Sequence, residues 1–316
     1  MRIEIVTPAP RGSHHGNRVT AQRWADLLND LGHETAVTTA WSGEPVDVLV
    51  ALHALRSAAA VRAFAAAHPD RSLVVALTGT DLYRDLPGSA EAQATIDTAD
   101  ALVVLQPLAV DALALPLRDR VHVIHQSVVA PAAPEDVPDG FEVVLLAHLR
   151  AVKDPFLVAE ATRLLPSGSR VRVTHLGAAL DPGTGERARA EAAANPRYRW
   201  LGDVPREQAL RHLVSSRLLV LTSRLEGGAN AISEALAAGV PVLSTRVDGS
   251  VGLLGDDYPG YIEVGDAADL ARLLERAEAD PAFLAALTER VQARRGLVDP
   301  ERERGAWAEL LAGLMG

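Results

Sequence analysis

Two glutamates, Glu226 and Glu234, stand with seven residues between them in the segment 221–245. The residues that follow Glu226 are Gly227, Gly228, Ala229 and Asn230. They have the composition of a helix start, where free backbone N–H groups and the positive end of the helix dipole bind phosphate. An ionised carboxylate can accept hydrogen bonds from two neighbouring sugar hydroxyls. The spacing therefore predicts a binding site for a sugar nucleotide.

The residues around this segment predict elements that would hold such a site. An apolar run at 217–221 predicts a strand, and apolar residues at helical spacing predict a helix that ends at Gly239. The run 240–243 predicts the next strand. The alternative is an ordinary βαβ unit whose two glutamates are only solvated. A glutamate inside an otherwise apolar helix argues against that alternative.

A basic pair, Arg150 and Lys153, is the second chemical feature, and Lys153 is the only lysine of the chain. In an arginine-rich protein, a retained lysine indicates a place where a compact ammonium is needed. The pair follows the apolar run 141–147 and precedes a helix opened by Asp154-Pro155. It would lie at the carboxyl end of a strand, where it could stabilise the charge of a leaving diphosphate. The alternative is a lysine kept by chance in a surface loop.

Composition limits the classes of protein and partner. The 316-residue chain is 48% hydrophobic, which predicts two domains of ordinary size. It has no cysteine, which excludes disulfides and thiolate chemistry and is typical of a cytoplasmic protein. Its net charge of −10 argues against a nucleic-acid partner and against electrostatic docking on a membrane. The N-terminal residues predict a strand instead of a signal peptide, and no apolar run predicts a membrane span.

Apolar strands alternate with helical patterns along the chain in two series. The first series has strands at 3–6, 35–38, 46–51, 73–77, 101–105 and 121–124. The second has strands at 141–147, 171–175, 198–201, 218–221, 240–243 and 261–264. This alternation predicts an α/β protein with two doubly wound parallel sheets.

The predicted domains are residues 1–127 and 141–296, joined by a Pro- and Gly-containing linker at 128–140. A helix within 297–316 has an apolar face, and we expect it to pack back toward the first domain. Two such domains would leave a central cleft between the carboxyl edges of their sheets, where ligands bind.

With these features the chain resembles the GT-B glycosyltransferases, and among them the family 4 enzymes that use nucleotide sugars. The matching residues are the Glu226-x7-Glu234 segment with its following Ala-Ala-Gly-Val-Pro-Val, the Arg150/Lys153 pair, and Leu-Gly-His-Glu at 31–34. The resemblance implies that Glu226 contacts the donor sugar, Glu234 the ribose diol, and the basic pair the diphosphate. It implies neither a metal nor another cofactor, since no Asp-x-Asp occurs and the basic pair supplies the positive charge. One departure is the spacing from the arginine to the lysine, which is three residues here and commonly five in the family.

Polar residues cluster around Gly12 and Gly16, at the start of the first long helix of the predicted first domain. They are Arg11, His14, His15, Asn17 and Arg18. Backbone amides and cationic side chains in such an arrangement form an anion site, so we expect an acceptor to bind here. Gly16 is also expected to approach the donor phosphate. The alternative is a loop whose histidines are solvated.

A second set of candidate acceptor residues follows two other predicted strands. His53 follows the strand sequence DVLVAL at 47–52, and Thr80, Asp81 and Arg84 come after the strand at 73–77. Because parallel strands end at one edge of a sheet, we expect these side chains to lie at one rim. The alternative for the second group is a capping turn, with Thr80 or Asp81 starting a helix.

Four segments, 6–25, 49–53, 75–86 and 147–156, together resemble the selenosugar synthases of selenoneine biosynthesis, a branch of family 4. The resemblance implies transfer of N-acetylglucosamine or glucose from its UDP derivative to selenophosphate, which forms a carbon–selenium bond. Selenium in selenophosphate is already nucleophilic, so the site needs positive charge and proximity more than a strong base. The alternatives are a conventional family 4 transferase for a small alcohol or thiol, a GT-B UDP-sugar epimerase, and a non-catalytic sugar-nucleotide sensor.

Overall fold

The computed structural model describes residues 1–132 and 140–315 of the chain. The chain forms two units: unit 1 from Met1–Gln126 with Pro300–Gly316, and unit 2 from Ser127–Asp299. The sequence placed these divisions at 127/128 and 296/297. Of the predicted linker, residues 133–139 lie outside the described residues. Val128 belongs to unit 2, where its amide donates a hydrogen bond of 3.1 Å to the carbonyl oxygen of Val298.

The strands and helices of the described residues follow in chain order. The strands are β1 Arg2–Val6, β2 Glu34–Thr38, β3 Val48–Leu52, β4 Ser72–Leu77, β5 Ala101–Val104, β6 Val121–Val123, β7 Phe141–Leu146, β8 Val171–Leu176, β9 Tyr198–Trp200, β10 Leu218–Leu221, β11 Val242–Thr245 and β12 Tyr261–Ile262. The helices are α1 Gly16–Asp30, α2 Ala58–Ala67, α3 Ala90–Thr98, α4 Leu108–Asp111, α5 Leu157–Leu164, α6 Thr184–Ala194, α7 Arg206–Val214, α8 Asn230–Ala238, α9 Asp248–Leu254, α10 Ala267–Ala279, α11 Pro281–Arg294 and α12 Pro300–Gly313. Every strand expected from the sequence is found within two residues of its predicted bounds.

Each unit is built on one parallel sheet of six strands. The strand order is β2-β1-β3-β4-β5-β6 in unit 1 and β12-β11-β10-β7-β8-β9 in unit 2. Both orders reverse direction once, so the chain winds first toward one edge of the sheet and then toward the other. The predicted α/β class, with two doubly wound parallel sheets and flanking helices, is confirmed.

The continuous apolar character of the strands follows from burial on both sheet faces. In β3, Val48, Val50 and Leu52 pack into one apolar cluster, whereas Leu49 and Ala51 pack into the cluster on the opposite face. Helices cover both faces of a sheet with this strand order, so no face is left for polar side chains. Polar residues are therefore confined largely to the strand ends, where the candidate site residues lie.

The final helix, α12, completes the core of unit 1. Trp307 of α12 meets Trp24 of α1 edge to face, with ring centroids 4.8 Å apart and both side chains fully buried. The buried carboxylate of Glu303 accepts a hydrogen bond of 2.7 Å from the Trp24 indole and pairs with the Arg23 guanidinium at 3.1 Å. An aromatic pair of this kind contributes about 1 kcal/mol beyond its buried area. Residues distant in sequence thus form one continuous core.

Residues 267–294 of unit 2 form two helices, α10 and α11. The break falls at Asp280-Pro281, where the Asp280 carboxylate caps α11 by accepting hydrogen bonds from the amides of Ala282 and Phe283. Proline lacks an N–H group and is favoured in the first turn of a helix, which explains why a new helix starts there. Neither these helices nor any other in the described part of the chain is long and apolar enough to cross a membrane.

A buried histidine, His175, joins two strands of unit 2. Its Nε2 atom lies 2.7 Å from the carbonyl oxygen of Ala147 and its Nδ1 atom 2.7 Å from the Tyr198 hydroxyl. The carbonyl only accepts, so Nε2 carries the proton and the tyrosine donates to Nδ1. Burial lowers the pKa of His175 to about 4, because a charged imidazole would lose its hydration.

This histidine should make the stability of the protein fall in acid. Between pH 6.5 and about pH 4 the unfolded chain binds a proton at His175 that the folded chain does not, so unfolding becomes easier as the pH falls. The loss is at most about 3 kcal/mol. Urea unfolding midpoints measured from pH 7.5 to pH 5 test this, with His175→Gln as the non-titrating variant. Equal pH slopes for the two proteins would contradict the prediction.

Candidate functional site

The winding of unit 2 reverses between β7 and β10. The chain leaves β7 toward β8 and β9, then returns to the other side of β7 and continues outward through β10, β11 and β12. Strands β7 and β10 are direct neighbours, with Leu219 of β10 opposite Val144 of β7. Loops that leave the carboxyl ends of two such strands diverge, and open α/β sheets bind ligands in the space between them. The loops at this point carry Lys153 and Glu226.

A single turn of 3₁₀ helix, Ala151–Lys153, presents the lysine after β7. The loop after β10 holds this turn by two hydrogen bonds. The Thr222 hydroxyl donates to the carbonyl oxygen of Lys153 at 2.9 Å, and the amide of Arg224 donates to the carbonyl oxygen of Val152 at 2.9 Å. These two hydrogen bonds to backbone carbonyl oxygens tie the two loops together.

The lysine and the first glutamate form an ion pair. The ammonium nitrogen of Lys153 lies 2.5 Å from Glu226 Oε1, and the Ser223 hydroxyl donates to the same oxygen at 2.6 Å. The Glu226 side chain is 8% exposed and the Lys153 side chain 27% exposed. An ammonium has three N–H donors, so Lys153 keeps donors for a ligand while it is paired with Glu226. The pair fixes a positive group at the open edge of the sheet.

The start of α8 lies directly after this ion pair in the chain. Gly227 is buried, and Gly228 and Asn230 are partly exposed. Ala229 is the N-cap residue and has no side chain that can cap the helix, and no acidic residue lies in the first turn. The positive end of the α8 dipole is thus not neutralised from within its own first turn, as a site for an anion requires.

Gly249 of α9 packs directly against the backbone of Glu226. A Cβ atom at this position would lie 2.4 Å from the Glu226 carbonyl oxygen and 2.7 Å from its Cβ atom. Only glycine allows this approach, because real Cβ contacts are longer. Helix α9 therefore supports Glu226 from behind, a role that its sequence position did not reveal.

The other member of the predicted basic pair, Arg150, lies at the N-terminal end of the lysine turn and is partly exposed. Its backbone amide donates to the carbonyl oxygen of His148 at 2.9 Å. Within residues 1–132 and 140–315, the Arg150 guanidinium makes no hydrogen bond or ion pair. Arg150 thus differs from Lys153, which is already held by a carboxylate, and offers its planar donor set to a ligand.

The second glutamate, Glu234, lies within the first two turns of α8 and is 9% exposed. Its Oε1 atom pairs with an Nη atom of Arg206, the first residue of α7, at 3.2 Å. Nothing in the spacing of Arg206 relates it to Glu234, so the sequence does not predict this ion pair. The pairing of the two helices through these side chains is visible only in the structure.

In unit 1, the corresponding reversal of strand order lies between β1 and β3. The candidate acceptor loop follows β1 and leads into α1, which begins at Gly16. The side chain of His15, the N-cap residue, makes no capping hydrogen bond, and the first turn of α1 holds no acidic residue. Of the predicted residues in this loop, the exposed ones are Arg11, His14 and Gly16, and the partly exposed ones are His15, Asn17 and Arg18.

His53 follows β3 and adopts a left-handed backbone conformation, with φ +74°. Such a conformation is strained for a residue other than glycine and is often found at functional sites. Its Nε2 atom lies 3.3 Å from the Thr80 hydroxyl and 3.6 Å from Asp85 Oδ2. Burial lowers the pKa of His53, against the opposing effect of the Asp81 charge, so the imidazole is neutral at pH 7. The structure thus brings His53 and Thr80 together at the ends of β3 and β4.

Asp81 is fully buried, and its carboxylate serves the backbone of unit 1. It accepts hydrogen bonds from the amides of Ala54, Thr78 and Gly79 at 3.0, 3.3 and 2.8 Å. These bonds tie the loop after β3 to the loop after β4, so the Asp81 carboxylate has a structural role. It is not the capping role of the alternative interpretation, because the three amides precede the turn and the N-cap residue Thr80 makes no capping hydrogen bond. The turn that it opens, Asp81–Asp85, is π-helical.

Arg84 is exposed and pairs with Asp85 at 2.8 Å. This hydrogen bond raises the pKa of the guanidinium. Asp85 therefore faces both Arg84 and His53. Among the described residues, no group of three or more histidine, aspartate or glutamate side chains is arranged to hold a metal ion.

Residues 132–294, just over half of the chain, match the family model described as glycosyl transferases group 1. The matched segment contains Lys153, Glu226 and Glu234, and ends with α11.

Similar solved structures cover nearly the whole chain. HepE from Anabaena, in complex with UDP and glucose, matches with a TM-score of 0.80 and 17% identity over 99% of this chain and 100% of its own. Sucrose-phosphate synthase from Thermosynechococcus elongatus matches with a TM-score of 0.80 and 15% identity over 99% of each chain. A glycosyltransferase from Rickettsia africae ESF-5 has a TM-score of 0.72 and 16% identity over 99% and 98%. At these identities the likeness shows a shared fold.

The close packing of α9 on Glu226 predicts that Gly249→Ala destabilises the protein by about 1–3 kcal/mol, as overpacking does. Gly305→Ala is the matched control, since Gly305 lies within α12 and an added Cβ would have no atom within 4 Å. There the substitution should stabilise slightly, because alanine is the better helix former. Denaturant unfolding midpoints test both variants. A Gly249→Ala protein as stable as the wild type would contradict the role given to this contact.

Proposed function

Because the chain belongs to the group 1 glycosyl transferases, we propose that it transfers a sugar from a UDP-sugar bound by unit 2. The observation that carries the proposal is the Lys153–Glu226 ion pair, 2.5 Å long, at the reversal of strand order and beside the start of α8. The choice of nucleotide is supported by HepE, a protein of similar fold whose structures are described with UDP and with UDP-glucose.

In this proposal, different residues of unit 2 bind different parts of the UDP-sugar. Lys153 donates to the diphosphate while it stays paired with Glu226, and Arg150 supplies a second positive charge. The first turn of α8, with Gly227 and Gly228, accommodates phosphate oxygens at the positive end of the helix. Glu226 is bonded through Oε1, so Oε2 accepts from the sugar hydroxyls.

The departure of UDP then needs no acid. Negative charge grows on the diphosphate as the bond from the sugar breaks, and cationic groups that are already in place stabilise it. We propose that no metal is required, since the basic pair carries the charge that a metal would otherwise neutralise. The sugar is N-acetylglucosamine or glucose in this proposal, on the strength of the family resemblance.

For the acceptor we propose selenophosphate, which unit 1 binds as an anion. The proposal is supported by the exposed Arg11, the partly exposed Arg18, and an α1 N-terminus with no acidic residue in its first turn. A neutral alcohol would need less positive charge. His53 and Thr80 supply further polar contacts at the ends of neighbouring strands.

The reaction balances with water as the third reactant, beside the UDP-sugar and selenophosphate. A selenium lone pair forms the bond to C1 of the sugar, while the bond from C1 to the phosphate oxygen breaks and UDP leaves with its electrons. Water then cleaves the phosphorus–selenium bond of the product, which gives inorganic phosphate and a sugar selenol. Because selenium is already nucleophilic, proximity and positive charge suffice for the first step.

Replacing Lys153 by alanine should reduce turnover of UDP-sugar by on the order of a hundredfold, as loss of one charge-stabilising donor typically does. Arg163→Ala is the matched control, since this exposed arginine of α5 pairs with Glu191 away from the lysine turn. Steady-state measurement of UDP release tests the variants, with thermal melting to verify that both are folded. Unchanged turnover of folded Lys153→Ala would refute the donor-site assignment.

The identity of the acceptor is tested by mass spectrometry of products from the purified protein with UDP-N-acetylglucosamine or UDP-glucose. We expect a selenosugar with selenophosphate and no product with small alcohols or thiols, and the same yield in the presence of EDTA. A product from an alcohol or thiol alone would identify a conventional transferase. Epimerised UDP-sugar formed without an acceptor would identify an epimerase, and binding without UDP release would identify a sensor.

A further inference from the structure

Arg206 opens α7 and lies 28 residues before Glu234 in the chain, in a different element. Helices α7 and α8 are both in unit 2, and the Arg206–Glu234 ion pair joins them with a distance of 3.2 Å. The Arg206 side chain is 39% exposed, whereas the Glu234 side chain is 12% exposed. The arginine side chain is therefore partly accessible to solvent, whereas the carboxylate with which it pairs is nearly buried.

One donor of this arginine has no acceptor. The Nε atom of Arg206 is buried, and within residues 1–132 and 140–315 it makes no hydrogen bond. A buried donor on a charged group that stays unsatisfied costs free energy, and such groups in native proteins usually have a partner. A missing partner next to a carboxylate that is proposed to bind a ligand indicates that the ligand supplies the acceptor.

A second arginine of the same helix shows what an ordinary pair looks like. Arg211 pairs with Glu207 one turn away at 2.6 Å, and their side chains are 70% and 76% exposed. Such a surface pair contributes little to stability and has no bearing on a ligand. The Arg206–Glu234 pair differs because it links two helices and because both members have atoms withdrawn from solvent.

We propose that Arg206 is a specificity-determining residue that, together with Glu234, recognises the 2′-hydroxyl of the donor ribose. This inference rests on the proposed use of a UDP-sugar and on the role of Glu234 at the ribose. A hydroxyl both donates and accepts hydrogen bonds, whereas a carboxylate only accepts and a guanidinium only donates. An adjacent carboxylate and guanidinium therefore match the donor and the acceptor capacity of one hydroxyl. A 2′-deoxyribose has no hydroxyl at C2′ and so can make neither hydrogen bond from that position.

The geometry also gives Arg206 a positioning effect on Glu234. An ionised carboxylate accepts about four hydrogen bonds, so the contact from Arg206 to Oε1 leaves capacity for a ribose diol. The guanidinium limits the rotation of the carboxylate. Loss of Arg206 should thus weaken nucleotide binding without affecting the groups that stabilise the leaving diphosphate.

The test compares the binding of UDP and 2′-deoxy-UDP by isothermal titration calorimetry. Wild-type protein should bind UDP roughly tenfold to a hundredfold tighter than the deoxy analogue, the effect of a hydrogen bond to a charged group. In Arg206→Gln this preference should shrink by about tenfold, with a raised donor KM and nearly unchanged kcat. Arg211→Gln is the matched control and should behave as the wild type. An Arg206→Gln protein that keeps the full preference for UDP overturns the proposal.

Arg206→Lys and double variants with Glu234→Gln keep the proposal testable if Arg206→Gln folds poorly. Arg206→Lys retains the charge without the planar donor set, so it should show part of the loss. Adding either substitution to Glu234→Gln should cause little further loss of the preference, because the two residues act on one hydroxyl. Independent effects of the two substitutions would overturn the proposal. Failure of wild-type protein to bind UDP at all would instead refute the donor-site function itself, and the inference with it.

Discussion

The contact of Lys153 with Glu226 is the interaction on which the rest of the candidate site depends. The Glu226 side chain is only 8% exposed, and a buried polar group needs hydrogen-bond partners, which Lys153 and Ser223 provide. The backbone of the lysine turn is in turn held by the Thr222 hydroxyl and the Arg224 amide, which donate hydrogen bonds to its carbonyl oxygens. The charged groups are therefore in place before a ligand arrives, which is the condition for electrostatic stabilisation of a developing charge.

This contact exists because of the strand order of unit 2. Lys153 follows β7 and Glu226 follows β10, two strands that are three apart in the chain and adjacent in the sheet. Had the chain continued outward from β9, the two loops would have been separated by the width of the sheet. The reversal of winding thus brings a lysine and a glutamate from distant segments to the same point. Gly249 of α9 has no side chain, which allows α9 to pack closely against the backbone of Glu226.

Residue types and local patterns predicted much of this arrangement. The alternation of apolar runs predicted the strands, and the Gly-Gly pair after Glu226 predicted the helix start, because both signals are local. The sequence predicted that Lys153 and Glu226 each follow a strand and gave them separate roles, but it did not predict the contact between them. That contact, like those of Arg206 and Gly249, joins residues distant in sequence. The start of α11 at Asp280-Pro281 follows a local signal, since aspartate before proline favours the start of a helix. For Asp81 the structure shows a role that no local pattern predicted: three backbone amides donate hydrogen bonds to its buried carboxylate.

The composition of unit 1 from both ends of the chain has a consequence for the order of folding. The segment that forms unit 2 is bounded by Val128 and Val298, whose backbones are hydrogen bonded to each other, so it enters and leaves at one place like an inserted domain. Unit 1 acquires Trp307 and the buried Glu303 only after that segment has been translated. During synthesis, unit 2 can therefore reach its native state first, whereas the core of unit 1, although made earlier, is completed only when α12 has been translated.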